Sequence, residues 1–254
     1  MPLFKSIGFL SRHSTKRKLK AIANELNIPF SDSYLEYVLI EKFYYHLIEF
    51  LYGVPHPDFE KYDSPSRAYN FPKLIEGLEK NKNKPFYIYM HYHTSGNAFS
   101  KKAIEKVAAA AKQIPEDNPQ IKEVKRELLI RIEIILKKFV GSYLVVVAVP
   151  ESSLDKRSNA TLYFHECMHV LFNENGFYFK AEWYYNEGLV TYFQAKYSVS
   201  GKRDMKEKLR ILREMLEGQD RHYFTYALKW HEFFENNPNM SKHDVVKMVH
   251  QQHG

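Results

Sequence analysis

A chain of 254 residues is long enough for one large domain or two small ones, and its 44% apolar content is that of a folded chain, not a disordered one. The formal charge of +7 admits an anionic partner, but no zinc finger or RNA-binding aromatic motif accompanies it, so nucleic acid is not the expected ligand. One cysteine excludes an intrachain disulfide, no run approaches the roughly 18 apolar residues of a membrane span, and the absence of a secretory apolar segment completes the expectation of a cytoplasmic protein.

Residues 1–82 read as a helical N-terminal region. Lys16 to Leu26 has amphipathic spacing and ends near Asn27 and Pro29. Arg12, Lys16, Arg17, Lys18 and Lys20 form a basic arm with no acid among them, read as a solvated face. Ser31-Asp32-Ser33 offers an N-cap for a longer helix through Leu51, whose apolar residues recur three or four apart. Gly53 stops it, a loop follows to Pro72, and a short helix occupies Lys73 to Lys80. The stretch Asn81 to Pro85 predicts a boundary, with a second domain over 83–254.

Residues 86–93 are β-prone and predict a strand, with His91 and His93 on one face. No acids lie near this pair, so it is read as structural. Thr94 to Asn97 predicts a turn, Ala98 to Gln113 a helix, and Pro119 to Phe139 a second helix. Tyr143 to Val149 is the clearest strand in the chain.

After the strand comes His165-Glu166-Cys167-Met168-His169, an HExxH pattern. On a helix, residues four apart share a face, so His165 and His169 can turn two imidazoles to one ion. Glu166 sits about 100° around the helix, beside the ion and free to act as a general base on water. Cys167 falls on the far side and is not counted as a ligand. A catalytic zinc needs a third protein ligand. The acidic candidates are Glu174, Glu182 and Glu187, of which Glu187 is best placed, near the start of a second helix predicted over 181–197.

HExxH followed by Asn186-Glu187-Gly188-Leu189-Val190-Thr191 resembles the gluzincin group of zinc metallopeptidases, which includes thermolysin and the zinc aminopeptidases. The resemblance covers about thirty residues. It implies that His165, His169 and Glu187 hold Zn2+, that Glu166 is the base, and that Thr191 lies where a polar residue often hydrogen-bonds a ligand. It implies an α+β fold, mainly helical, in which a small mixed sheet and the HExxH helix are followed by a helical C-terminal subdomain. The strand before the HExxH helix is expected at a sheet edge, binding extended peptide by strand addition. No Gly-x-Met-x-Asn motif precedes HExxH, which argues against aminopeptidase specificity and for endopeptidase-like cleavage of a peptide or protein substrate.

A helix predicted over Lys202 to Glu217 is followed by Arg221-His222-Tyr223-Phe224-Thr225-Tyr226-Ala227. Gluzincins draw an oxyanion donor from this region. Tyr223, with small Ala227 one turn later, fits that pattern; His222 and Tyr226 are its rivals. The last helix is predicted from Ser241, with Asp244 completing a capping box. The alternative to a peptidase is a catalytically silent or self-inhibited protein of the same fold that binds without cleaving. A second alternative is a binder of nucleic acid or an anionic surface through the basic arm, with structural zinc.

Overall fold

In the computed structural model, the described residues are 9–54, 66–81, 95–149, 156–179, 182–216 and 221–253. They form a mainly helical α+β structure with one three-stranded mixed sheet. Residues 36–162 build one compact unit, and residues 5–35 with 163–254 build another. This division differs from the expected 1–82 and 83–254, whose boundary lies outside the described residues.

The first unit is organised on strand β3 (Tyr143–Val149). Its run Leu144 to Ala148 is fully buried, as a strand covered on both faces should be. β1 (Tyr37–Glu41) pairs with it in parallel, Tyr37 opposite Val145 and Glu41 opposite Val149. β2 (Ser95–Ser100) pairs antiparallel on the other side, Ser95 opposite Ala148 and Ser100 opposite Tyr143. The order is therefore β1-β3-β2. β3 is the middle strand, which corrects the expected edge: both of its hydrogen-bonding sides are taken, and it cannot accept an added peptide strand.

β1 also corrects the continuous helix expected from Ser31 to Leu51. A single 3-10 turn at Asp32–Leu35 precedes the strand, and α2 (Lys42–Tyr52) follows it directly. Likewise, β2 occupies residues 95–97 of the expected turn and takes the first turn from the helix expected at Ala98, leaving α4 as Lys101–Lys112. Ser100 caps α4, its Oγ accepting from the Ala103 amide at 3.1 Å. α3 (Arg67–Lys80) is longer than expected, and α5 (Pro119–Lys138) starts on a proline behind the Asn118 cap. Phe50, Phe71, Leu74, Ile104, Val107, Ile121, Leu128 and Val146 belong to the continuous apolar core that these elements enclose. The expected strand at 86–93, with His91 and His93, lies outside the described residues.

The second unit is helical: α1 (Phe9–Leu26), α6 (Lys156–Glu174, of which residues 163–174 belong here), α7 (Trp183–Ser198), α8 (Met205–Met215), α9 (Arg221–Asn236) and α10 (Lys242–His253). α7 is its axis. From Tyr185 to Ala195 only Glu187 escapes full burial, so the helix is enclosed on all sides. α9 packs along it, and Trp230 of α9 donates its indole N–H to the Tyr185 carbonyl at 2.9 Å. α1 supplies Leu19, Ile22, Ala23 and Leu26 to the same core. Its Glu25 accepts from Lys196 of α7, from Tyr197 at 2.6 Å, and pairs with Lys242 of α10 at 2.7 Å. The basic arm is partly spent inside this unit: Lys16 bonds Asp32 at 2.5 Å, and Lys18 lies over the Phe164 ring. Ser241 and Asp244 form the expected capping box at α10, with the Asp244 amide donating to Ser241 Oγ at 3.1 Å.

Candidate metal centre

The centre is carried by two helices of the second unit. α6 presents His165 and His169 one turn apart, with ring centroids 4.9 Å apart. α7 presents Glu187 in its first two turns. Each residue of Asn186-Glu187-Gly188 has its own task. The Asn186 side chain accepts from the Phe179 amide and donates to the Phe179 carbonyl, both at 2.9 Å, which pins the approach to α7. Glu187 turns its carboxylate to the histidines. Gly188 lies where α9 comes closest: a Cβ there would stand 2.5 Å from Tyr226 Cβ and 3.0 Å from the Ala227 nitrogen.

His165 Nε2 is 3.2 Å from Glu187 Oε2 and 3.2 Å from His169 Nε2, and His169 Nε2 is 3.3 Å from Glu187 Oε1. Zinc–nitrogen and zinc–oxygen bonds of about 2.0–2.1 Å at the tetrahedral angle place neighbouring donors about 3.3 Å apart. The two imidazoles meet different oxygens of the Glu187 carboxylate, and one ligand atom from each of the three residues lies within 4.8 Å of the others, a spacing able to hold a metal ion. Among the described residues, His165, His169 and Glu187 are the group able to hold a metal ion. Without an ion, protons fill the role. Burial disfavours the charged form of His165, but the hydrogen bond and charge of Glu187 outweigh it and raise the pKa to about 9. Burial alone would raise Glu187; the charge of His169 and the bonds from both imidazoles hold it well below the usual carboxylate range.

Behind the cluster, Gln194 Oε1 lies 3.0 Å from His165 Nδ1, with both side chains buried. The resemblance implies that this outer hydrogen bond comes from Thr191. Thr191 is fully buried and, among the described residues, its hydroxyl has no hydrogen-bond partner. Positions 187, 191 and 194 form one helical stripe, and Thr191 and Gln194 are the polar members of the apolar run that follows Glu187. That pattern is the sequence signal for Gln194, one turn beyond Thr191.

Glu166 is 94% buried, and its charge reaches His165. Cys167 is fully buried outside the group, its thiol pushed far above its usual pKa by burial. Glu182, a rival ligand, pairs with His253 at 3.2 Å, and Glu174 ends α6 outside the donor cluster. Tyr223 opens α9 with its ring edge-on to Trp183, 5.8 Å between centroids. Trp183 is one helical turn before Glu187 on α7. His222 packs on Tyr184, and Tyr226 on Tyr184 and Tyr185. Compared with family models, curated proteins and solved structures, the chain matches none.

Proposed function

We propose that this chain is a zinc-dependent peptidase of gluzincin type, cutting within peptide or protein substrates. The observation that carries the reading is the cluster of His165, His169 and Glu187, in contact at 3.2–3.3 Å, joined in sequence to a buried acid, Glu166, directly after the first histidine. His165, His169 and Glu187 hold the ion. Zinc, when bound, supplies Lewis acidity that polarises a carbonyl and acidifies water. Glu166 takes the proton from the attacking water and returns it to the departing amine nitrogen. Its burial keeps that proton from bulk solvent between the two transfers. Tyr223 is the proposed donor to the oxygen on which negative charge develops. A peptide is held by groups other than β3, whose sides are both paired.

The test begins with metal content by mass spectrometry on protein purified without chelator or histidine tag. About one zinc per chain is expected, and Glu166→Gln should keep it while losing hydrolysis of a denatured protein substrate. Undiminished cleavage by Glu166→Gln removes the base assignment. Bound zinc with no hydrolysis by the wild type favours a silent binding protein of the same fold.

A further inference from the structure

The two nitrogens of an imidazole cannot be set independently. A neutral ring has one N–H and one lone pair, so the partner of Nδ1 decides whether Nε2 can bind a metal. His165 Nε2 faces Glu187 and His169, and its Nδ1 faces Gln194 Oε1 at 3.0 Å. An amide oxygen only accepts, so Nδ1 carries a proton, and in the neutral ring the lone pair therefore lies on Nε2. An amide turned over would put its NH2 against Nδ1, move the ring proton to Nε2 and close the metal position. Gln194 is only 1% exposed, and water does not compete for this bond.

We propose that Gln194 is a positioning residue that fixes His165 with its Nδ1 proton inward and its Nε2 lone pair at the ion, and that its neutrality tunes the grip on the metal. This rests on the metal-centre reading above. Outer partners of metal-bound histidines often are carboxylates, which make the ring a more basic ligand; an amide orients the ring without that gain. Glu187 is then the one anion among the three donors, and the centre keeps more of the ion's positive charge for the reacting carbonyl.

The two properties separate by substitution. Gln194→Leu removes the acceptor and should weaken zinc binding by about 10- to 100-fold. Gln194→Glu keeps the acceptor, adds charge and should bind zinc more tightly than the wild type. The measurement is zinc titration of the full chain against a competing chelator, with folding checked by circular dichroism. A residue that merely fills space would not move affinity in opposite directions in the two variants. Affinities of both variants within threefold of the wild type would overturn the proposal and leave the metal centre standing. A wild type that binds no zinc sinks both. Should Gln194→Leu not fold, Gln194→Glu decides together with the His165 Nδ1 proton of the zinc-loaded wild type by nuclear magnetic resonance. That proton is expected to exchange slowly with solvent, and rapid exchange overturns the proposal.

Discussion

Replacing Gly188 by alanine adds one methyl group at the closest approach of α7 and α9. The new Cβ would stand 2.5 Å from Tyr226 Cβ, 2.7 Å from the Tyr226 carbonyl carbon and 3.0 Å from the Ala227 nitrogen. Carbon contacts become comfortable at about 3.5 Å, so the helices must part by about 1 Å. Two of the three opposing atoms are backbone, and no rotamer change relieves them. Alanine favours a helix over glycine by about 1 kcal/mol, against an overpacking cost of about 1–3 kcal/mol. The expected balance is a loss of up to about 2 kcal/mol. Both tryptophans, Trp183 and Trp230, lie in this unit, so urea denaturation followed by tryptophan fluorescence reads its stability directly. Glu187 is the adjacent residue, and a displacement of about 1 Å is large against donor contacts of 3.2–3.3 Å. Zinc affinity should therefore fall along with the unfolding midpoint. An alanine variant with unchanged midpoint and unchanged affinity would refute the close approach and the dependence of Glu187 on it.

His169→Ala removes one of three donors, and bound zinc should drop from about one per chain to near none by mass spectrometry. Glu25 is held below its usual pKa: burial opposes this but is outweighed by Lys196, Lys242 and Tyr197. Its stabilisation is complete above the unfolded pKa of about 4.3 and is lost as pH falls through the lowered folded value. Glu25→Gln should thus lower the urea midpoint at pH 7, and the gap from the wild type should close in acid. Lys42 is pushed down to about 7 by burial, against the pull of Glu49. The unfolded chain holds this proton up to about pH 10.4, so its charging penalty is full below pH 7 and fades as pH rises through that window. Lys42→Met should raise the midpoint at pH 7 by circular dichroism and flatten that rise; a lower midpoint would contradict it.

The parts of the molecule fixed by local periodicity were legible in the sequence. His165 and His169 share a helical face because they are four apart, and the apolar run 143–149 matches the observed strand end to end. What depends on distant partners was not. Tyr37 to Glu41 carries apolar spacing compatible with a helix, and pairing with Val145 to Val149 makes it a strand. Ser95 to Ser100 has little intrinsic β preference and is a strand because Tyr143 to Ala148 lies alongside. The middle place of β3 depends on those same two neighbours. Gln194 was missed for a related reason: spacing names the stripe, and only the approach of α6 selects which polar member of it meets His165.

The unit that carries the metal donors is assembled from residues 5–35 and 163–254. During synthesis, α1 emerges with Leu19, Ile22 and Leu26 lacking the helices that will bury them. At about 5–20 residues per second, the intervening residues 36–162 occupy the ribosome for about 6–25 s. The sheet-bearing unit can close in that interval, because its segments are contiguous. The metal-bearing unit cannot, since Glu25 meets Lys196 and Lys242 only once those residues have left the exit tunnel. Assembly of the His165, His169 and Glu187 cluster is thereby a late event, and a nascent chain stalled before α7 would display the apolar face of α1 and two histidines without Glu187.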